Sequence, residues 1–133
     1  MENRALIAVS IFIFRGDKVL TLQRSRRALA APSIWEVVSG RVEAAEDPFA
    51  AAAREVREET GLSVALCPRP YDAYRAKRLE EPMLVLVYRA DHLAGEVQLS
   101  EEHDAFEWID PRDFAQRCSL PRLVRALEAI EAG

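Results

Sequence analysis

Cysteine is scarce in this chain of 133 residues. Cys67 and Cys118 are the only two. They form no Cys-x-x-Cys pair and no metal-finger spacing, so neither a disulfide framework nor a structural zinc site organises the fold. Two reduced thiols, partly or wholly buried, are expected. Long apolar runs are missing as well. The most apolar stretch, residues 5–14, is interrupted by Ser10 and is too short to span a bilayer. It lacks a small-residue cleavage site, so it reads as a buried strand rather than a secretion signal, and a cytoplasmic protein without membrane contact is expected. An excess of positive charge is also absent. The formal net charge is -4, which offers no bulk attraction to nucleic acid or anionic lipid. Repeats, low-complexity tracts and linkers do not occur, and the length suits a single domain over residues 1–133.

Half of the residues are hydrophobic and 30% are charged, a balance that supports a core under a solvated surface. Residues 5–14 and 19–23, separated by Arg15-Gly16-Asp17-Lys18, read as a hairpin. The basic stretch 24–27 and residues 28–32 read as a surface loop, and 34–38 as another short strand. Asp47-Pro48 marks a helix start, with aspartate placed to accept backbone N–H bonds and proline tolerated at the first helical position. Residues 49–60 are rich in helix formers, and Gly61 supplies a left-handed stop. Phe49, Ala53, Val56 and Thr60 form the expected buried stripe, with Glu55, Glu58 and Glu59 on the opposite side. Extended structure is expected at 62–66 and 71–78, a strong strand at 83–88, a polar connection at 91–96, and a short strand at 105–109. One helical turn at 111–114 and an amphipathic helix carrying Leu123, Leu127 and Ile130 complete the chain. Mixed strands and helices predict an α/β (α+β) fold with one sheet between helices.

The chemistry is concentrated in residues 40–62, GRVEAAEDPFAAAAREVREETGL. Glu55, Glu58 and Glu59 sit at spacings of three and four, which puts them on one helical face and costs about 0.2–0.5 kcal/mol per like-charged pair. Arg54 and Arg57 relieve part of this, Arg54 by an ion pair to Glu58. A charged, solvated face is the ordinary reason for such a run. A hard dication is the alternative, since Mg²⁺ prefers oxygen ligands and shares carboxylates with substrate phosphates. The wider spacing decides between them. Gly40, five residues, Glu46, seven residues, Arg54-Glu55-Val56, one residue, Glu58-Glu59, one residue and Gly61-Leu62 match G-x5-E-x7-R-E-U-x-E-E-x-G-U, where U is a bulky aliphatic residue. Seven positions of fixed residue type agree by chance about once in a billion start positions.

That string is the signature of the Nudix hydrolases, which this chain closely resembles. The resemblance implies an α/β/α sandwich with a mixed sheet and the motif as a loop–helix–loop. It implies divalent metal, Mg²⁺ or Mn²⁺, held by Glu55, Glu58 and Glu59 and by the Gly40 carbonyl. It gives Arg54 the task of orienting a glutamate and Glu46 that of bracing the loop, with Glu43 either a further acid of the site or an exposed loop residue. The general base is either a glutamate of the motif, here Glu58, or one on a later loop. Related sequences place an acid about six residues before a tryptophan, which is Glu102 before Trp108. His103 is a phosphate ligand, an acid or a hydrogen-bonded structural histidine. The usual Pro-Gly-Gly before the motif is replaced by Val38-Ser39-Gly40, a departure that bears on loop geometry and substrate preference.

Segments 34–40 and 102–108 are similar to those of dihydroneopterin triphosphate and nucleoside triphosphate diphosphatases. The expected substrate is therefore a small nucleotide-like molecule, a nucleoside or pterin triphosphate losing pyrophosphate. Hydrolysis of ADP-ribose or a nucleotide sugar is an alternative, and a non-catalytic nucleotide-binding regulatory module is another. Trp35 is the candidate for stacking on a base. Arg24 and Arg75 lead the candidates for phosphate contact, ahead of Arg26, Arg27, Lys77 and Arg78. Many relatives dimerise, and residues 5–14 offer an apolar strand for a homodimer.

Overall fold

The computed structural model describes residues 4–133. Its spine is strand β1 (Leu6–Arg15), buried from Ala8 to Phe14. The side-chain alternation of a strand sends Val9, Ile11 and Ile13 into one core cluster and Ala8, Phe12 and Phe14 into another. A strand buried on both faces needs no polar side, which is why this run is almost wholly apolar. Gly16, in the left-handed region at φ 61°, turns the chain into β2 (Lys18–Arg24).

The β1–β2 pairing lasts only two registers, Phe14↔Val19 and Arg15↔Lys18, before the strands part. The gap is filled by a segment that changes partners. Strand β3 (Trp35–Glu36) pairs with β2, and β4 (Val38–Arg41) pairs with β1 through Ile11↔Val38 to Ala8↔Arg41. The single strand expected at 34–38 is thus two strands broken at Val37, because β1 and β2 diverge and one segment bridges both.

Helix α1 (Pro48–Thr60) follows, and Gly61 ends it at φ 70° with its N–H donated to the Arg57 carbonyl. Asp47 stands at the N-cap but its side chain makes no capping bond. Pro48 already removes one of the N–H groups that a cap would serve. The buried stripe also differs from expectation. Ala51, Ala52, Glu55, Val56, Glu59 and Thr60 are buried, whereas Phe49 is 38% exposed and Ala53 only half-buried. The small alanines let α1 lie close to the sheet, and two glutamates share the buried stripe rather than opposing it.

Strands β5 (Ser63–Leu66) and β6 (Asp72–Arg78) both pair with β7 (Glu81–Ala94), β6 along its first half and β5 along its last. The polar connection expected at 91–96 is therefore strand as far as Ala94, because β5 provides backbone partners there. Strand β7 runs parallel to β1, from Leu6↔Met83 to Phe14↔Asp91. Strand β8 (His103–Ile109) pairs with β2, with a register shift between Gln23 and Arg24. A 3-10 turn (Pro111–Asp113), α2 (Phe114–Arg117) and α3 (Pro121–Ala132) cover the face opposite α1. There Phe114 meets Phe12 edge-to-face at 5.5 Å, and Leu123, Ala126, Leu127 and Ile130 complete the cluster. The architecture is a mixed eight-stranded sheet between α1 and α3. Both cysteines are free thiols, Cys118 buried and Cys67 half-buried. Among the described residues no helix is long and apolar enough to cross a membrane.

Candidate active site

Strand β4 and the buried edge of α1 pack against each other, and Gly40 faces Glu55 across that contact. A Cβ on Gly40 would overlap the Glu55 carboxylate, so only glycine leaves that group its place. Across from this edge, the turn before β8 brings in Glu102. Its N–H is donated to Ser100 Oγ at 3.2 Å, and its carbonyl accepts from Ser25 N at 2.9 Å. Glu55, Glu58, Glu59, Ser100, Glu101 and Glu102 line one hollow of ≈ 330 Å³. Two segments 41 or more residues apart in sequence thereby converge on one acidic site.

Arg54 holds one half of it. Its guanidinium donates to both oxygens of Glu46 at 2.8 and 3.0 Å, to Glu55 Oε1 at 2.8 Å, to Glu58 Oε2 at 3.2 Å and to the Arg41 carbonyl at 3.0 Å. Glu43 lies 3.6 Å away. The bidentate fork on Glu46 suits the planar guanidinium. It ties the loop before α1 to the helix, reinforced by the Glu43 N–H on Glu46 Oε1 at 3.0 Å. The Arg54 bonds hold the Glu46 carboxyl down at about 2, and Glu46 in turn raises the Arg54 guanidinium above its ordinary value.

Glu59 sits in a different environment. It is 1% exposed, and its Oε1 accepts a long bond from Ser39 N at 3.4 Å, while Oε2 has no partner. Burial, then Glu55, then the charges of Glu102 and Glu36 push its carboxyl up to about 11. Beside it, His103 is buried with Nε2 2.9 Å from Glu36 Oε2 and Nδ1 3.8 Å from Glu59 Oε1. Glu36 also accepts from Arg24 Nη1 at 3.2 Å and from Ser39 Oγ at 3.2 Å. An orphaned buried oxygen among carboxylates fits a divalent cation, which replaces the proton and satisfies the lone pairs. The donor set of Glu55, Glu58, Glu59 and Glu102 with the Gly40 carbonyl nearby is the hard-oxygen set such an ion takes.

The hollow opens beside a larger cleft of ≈ 1570 Å³ on the α3 side of the sheet. Ala8, Ser10 and Val85 form its floor, Tyr74 and Ala76 one wall, the 24–31 loop another, and Arg122 its far end. Gly40, Arg54 and Glu55 are shared with its mouth. Arg24 lines it but is already committed to Glu36 and to the Ala30 carbonyl at 3.0 Å. The other sequence candidates are not brought there. The Trp35 ring is covered by the Arg117 guanidinium at 4.5 Å and does not line the cleft. Arg75 is on the exposed side of β6, opposite Tyr74 and Ala76, whereas Lys77 and Arg78 do reach the cleft. Glu36 and Ser39 went unmarked in the sequence. A lone acid inside the apolar run 34–38 was the available signal for Glu36, since a buried charge demands partners.

Comparison with known proteins bears on the family and the fold. Residues 4–128 match the NUDIX domain family. The chain is 36% identical over 111 residues to Octanoyltransferase of Myxococcus xanthus, covering 78% of this chain and spanning 30% of that protein's length. It is 30% identical over 125 residues to CTP pyrophosphohydrolase of Escherichia coli, covering 93% of this chain and 90% of that one. The fold is shared with a MutT protein from Methanosarcina mazei at a TM-score of 0.86 and 23% identity, covering 99% and 96% of the two chains.

Proposed function

This chain belongs to the Nudix family, and from that premise we propose that it hydrolyses a nucleoside triphosphate or a related pterin triphosphate, with Mg²⁺, releasing pyrophosphate. The observation that carries the proposal is the convergence of Glu55, Glu58, Glu59 and Glu102 on one hollow at the mouth of a cleft large enough for a nucleotide. Similarity to a CTP pyrophosphohydrolase over nearly both whole chains supports the triphosphate class.

In this reading Glu55, Glu58, Glu59 and the Gly40 carbonyl hold the metal, which when bound neutralises the diphosphate and activates water. The cleft holds the nucleoside end, so that the phosphate chain runs out over the acidic hollow. Lys77, Arg78 and Arg122 line the same cleft and are placed to donate to polar groups of the nucleoside end. Arg54 fixes the direction in which Glu55 and Glu58 point. Water attacks phosphorus, the phosphoanhydride P–O bond breaks, and pyrophosphate leaves with the bridging oxygen. Glu58 and Glu102 are the two groups placed to accept the proton of the attacking water. Glu58 Oε2 already accepts from Arg54, and Glu102 reaches the hollow from an exposed turn.

The test is a Mg²⁺-dependent assay on nucleoside triphosphates, dihydroneopterin triphosphate, ADP-ribose and nucleotide sugars, with pyrophosphate and orthophosphate separated. Pyrophosphate release from a triphosphate, lost in Glu55→Gln, is the expected result. Cleavage of ADP-ribose alone would replace the substrate class. Binding without turnover in Mg²⁺ or Mn²⁺ would make the chain a nucleotide-binding module. Glu58→Gln and Glu102→Gln separate the two bases, since removing the true one abolishes the acid limb of the pH–rate profile.

A further inference from the structure

The Glu36–His103 pair lies behind the acidic hollow, and the reaction as described does not use it. Glu36 is fixed as an acceptor by three donors: Arg24 Nη1, Ser39 Oγ and His103 Nε2. The proton of the imidazole is therefore on Nε2, and the Nδ1 lone pair faces the other way. It faces Glu59 Oε1 at 3.8 Å, and neither Nδ1 nor Glu59 Oε2 has any hydrogen-bond partner. Both side chains are 1% exposed. Ligand atoms of Glu59, Glu102 and His103 all lie within 4.8 Å of one another.

Two donors bound to one ion at about 2.1 Å each are at most about 4.2 Å apart. The 3.8 Å between Nδ1 and Oε1 already meets that limit, and the full triad meets it after shifts of a few tenths of an ångström. A carboxylate holding one ring nitrogen so that the other is presented bare is the arrangement by which proteins orient a metal-binding histidine.

We propose that His103 Nδ1 is a direct ligand, with Glu59 and Glu102, of a divalent cation in the acidic hollow, oriented for that role by Glu36. The proposal rests on the reading of this hollow as a metal site and adds a nitrogen donor to it. An all-oxygen site favours Mg²⁺, whereas imidazole shifts preference toward first-row transition ions. The centre therefore binds Mn²⁺ and Co²⁺ ahead of Mg²⁺, and His103 is what sets that order.

The experiment is pulsed electron paramagnetic resonance of the protein loaded with Mn²⁺ alone, which reads nitrogen bound to manganese, together with Mn²⁺ and Mg²⁺ titrations by calorimetry. A directly bound ¹⁴N coupling is expected in the unaltered chain and should be absent in His103→Gln. Glutamine keeps a donor for Glu36 and removes the Nδ1 lone pair. The same variant should weaken Mn²⁺ binding by about tenfold or more and change Mg²⁺ binding by less than about threefold. The only other histidine, His92, packs on Trp108 and bonds the Gly95 carbonyl. His92→Gln should keep the signal, which assigns it to His103 even if His103→Gln folds poorly. Bound Mn²⁺ without nitrogen coupling, or a coupling that survives in His103→Gln, overturns the proposal. Cation binding indifferent to Glu55→Gln would instead overturn the underlying reading of the hollow.

Discussion

Glu58 and Glu59 are neighbours in sequence and opposites in environment. Glu58, with Glu43, Glu46 and Glu55, is gathered around the Arg54 guanidinium. Glu59 points inward, where Arg54 does not reach, and shares its space with His103 and an unpartnered oxygen of its own. One cluster carries its counter-charge within the chain, so Glu46 ionises at about 2. The other lacks it, so Glu59 holds its proton up to about 11. Helix geometry alone makes this difference, since a step of one residue turns a side chain by about 100°. A carboxylate left without a cation by its own protein is placed for one from outside, and the compensated carboxylates form the frame around it.

The sharpest break of this comparison is at Glu59. Glu59→Gln is nearly isosteric and removes a buried ionisable group. We expect activity to fall at least about 100-fold, beyond the 10–100-fold that groups merely orienting a ligand are worth. We expect metal-free stability at pH 8 to hold or rise, because the cost of keeping a buried carboxyl protonated at that pH is gone. Steady-state kinetics and urea unfolding in chelator check both halves. Loss of stability with activity intact would reverse the assignment.

Next is Arg54→Lys, which keeps the charge and loses the fork. One ammonium cannot serve both oxygens of Glu46 and also Glu55 and Glu58. The expected cost is about 10–100-fold in kcat/KM and about 1.5–3 kcal/mol in stability. If lysine were tolerated in both assays, Arg54 would be a surface ion pair and no frame at all.

The two neighbourhoods also have opposite pH signatures. Glu46 is held below its unfolded value near 4.3, so its contribution is present above that pH and is lost as pH falls toward 2. Glu59 is raised above its unfolded value, so its contribution is full below about 4.3 and declines as pH rises through the neutral range toward 11. Urea midpoints of the metal-free protein from pH 5 to 9 should therefore fall with pH. Glu59→Gln should flatten that slope and leave the acid limb alone, while Glu46→Gln should do the reverse. Added Mg²⁺ should stabilise most at the alkaline end, where the proton it displaces from Glu59 costs most to retain.

The same contrast separates what the sequence showed from what it concealed. Spacing alone put Glu55, Glu58 and Glu59 on one face, and the resemblance named Glu102; the fold brings all four to one hollow. Which of the acids is buried was not legible, because burial depends on how α1 lies against β4, and Gly40 with Ala51 and Ala52 decides that only in three dimensions. The apolar run of β1 and the Pro48–Gly61 punctuation of α1 are local signals, and both elements formed where expected. The split of 34–41 into two strands and the extension of β7 to Ala94 depend on distant partners, β1 and β2 in one case and β5 in the other. Trp35 and Arg75 carried the right chemistry, but neither lines the cleft, and the Arg117 guanidinium covers the Trp35 ring. Glu36 was visible only as an acid out of place, and its meaning came from His103, 67 residues away.

The smallest expected effect tests whether membership of the Arg54 cluster matters in itself. Glu43 lies within 3.6 Å of Arg54, but its side chain is 69% exposed. Water screens such a pair, and ordering a long side chain offsets much of the attraction, so exposed pairs are worth about 0–1 kcal/mol. Glu43→Gln should therefore change stability by less than about 0.5 kcal/mol. Its backbone N–H still bonds Glu46, so the loop keeps its anchor. Activity should stay within about twofold if Glu43 only decorates the cluster, since the orienting bonds to Glu55 and Glu58 do not pass through it. A tenfold loss with stability unchanged would mean that Glu43 reaches the cation or its water. The boundary of the site would then extend across the loop before α1, beyond the hollow that Glu102 closes.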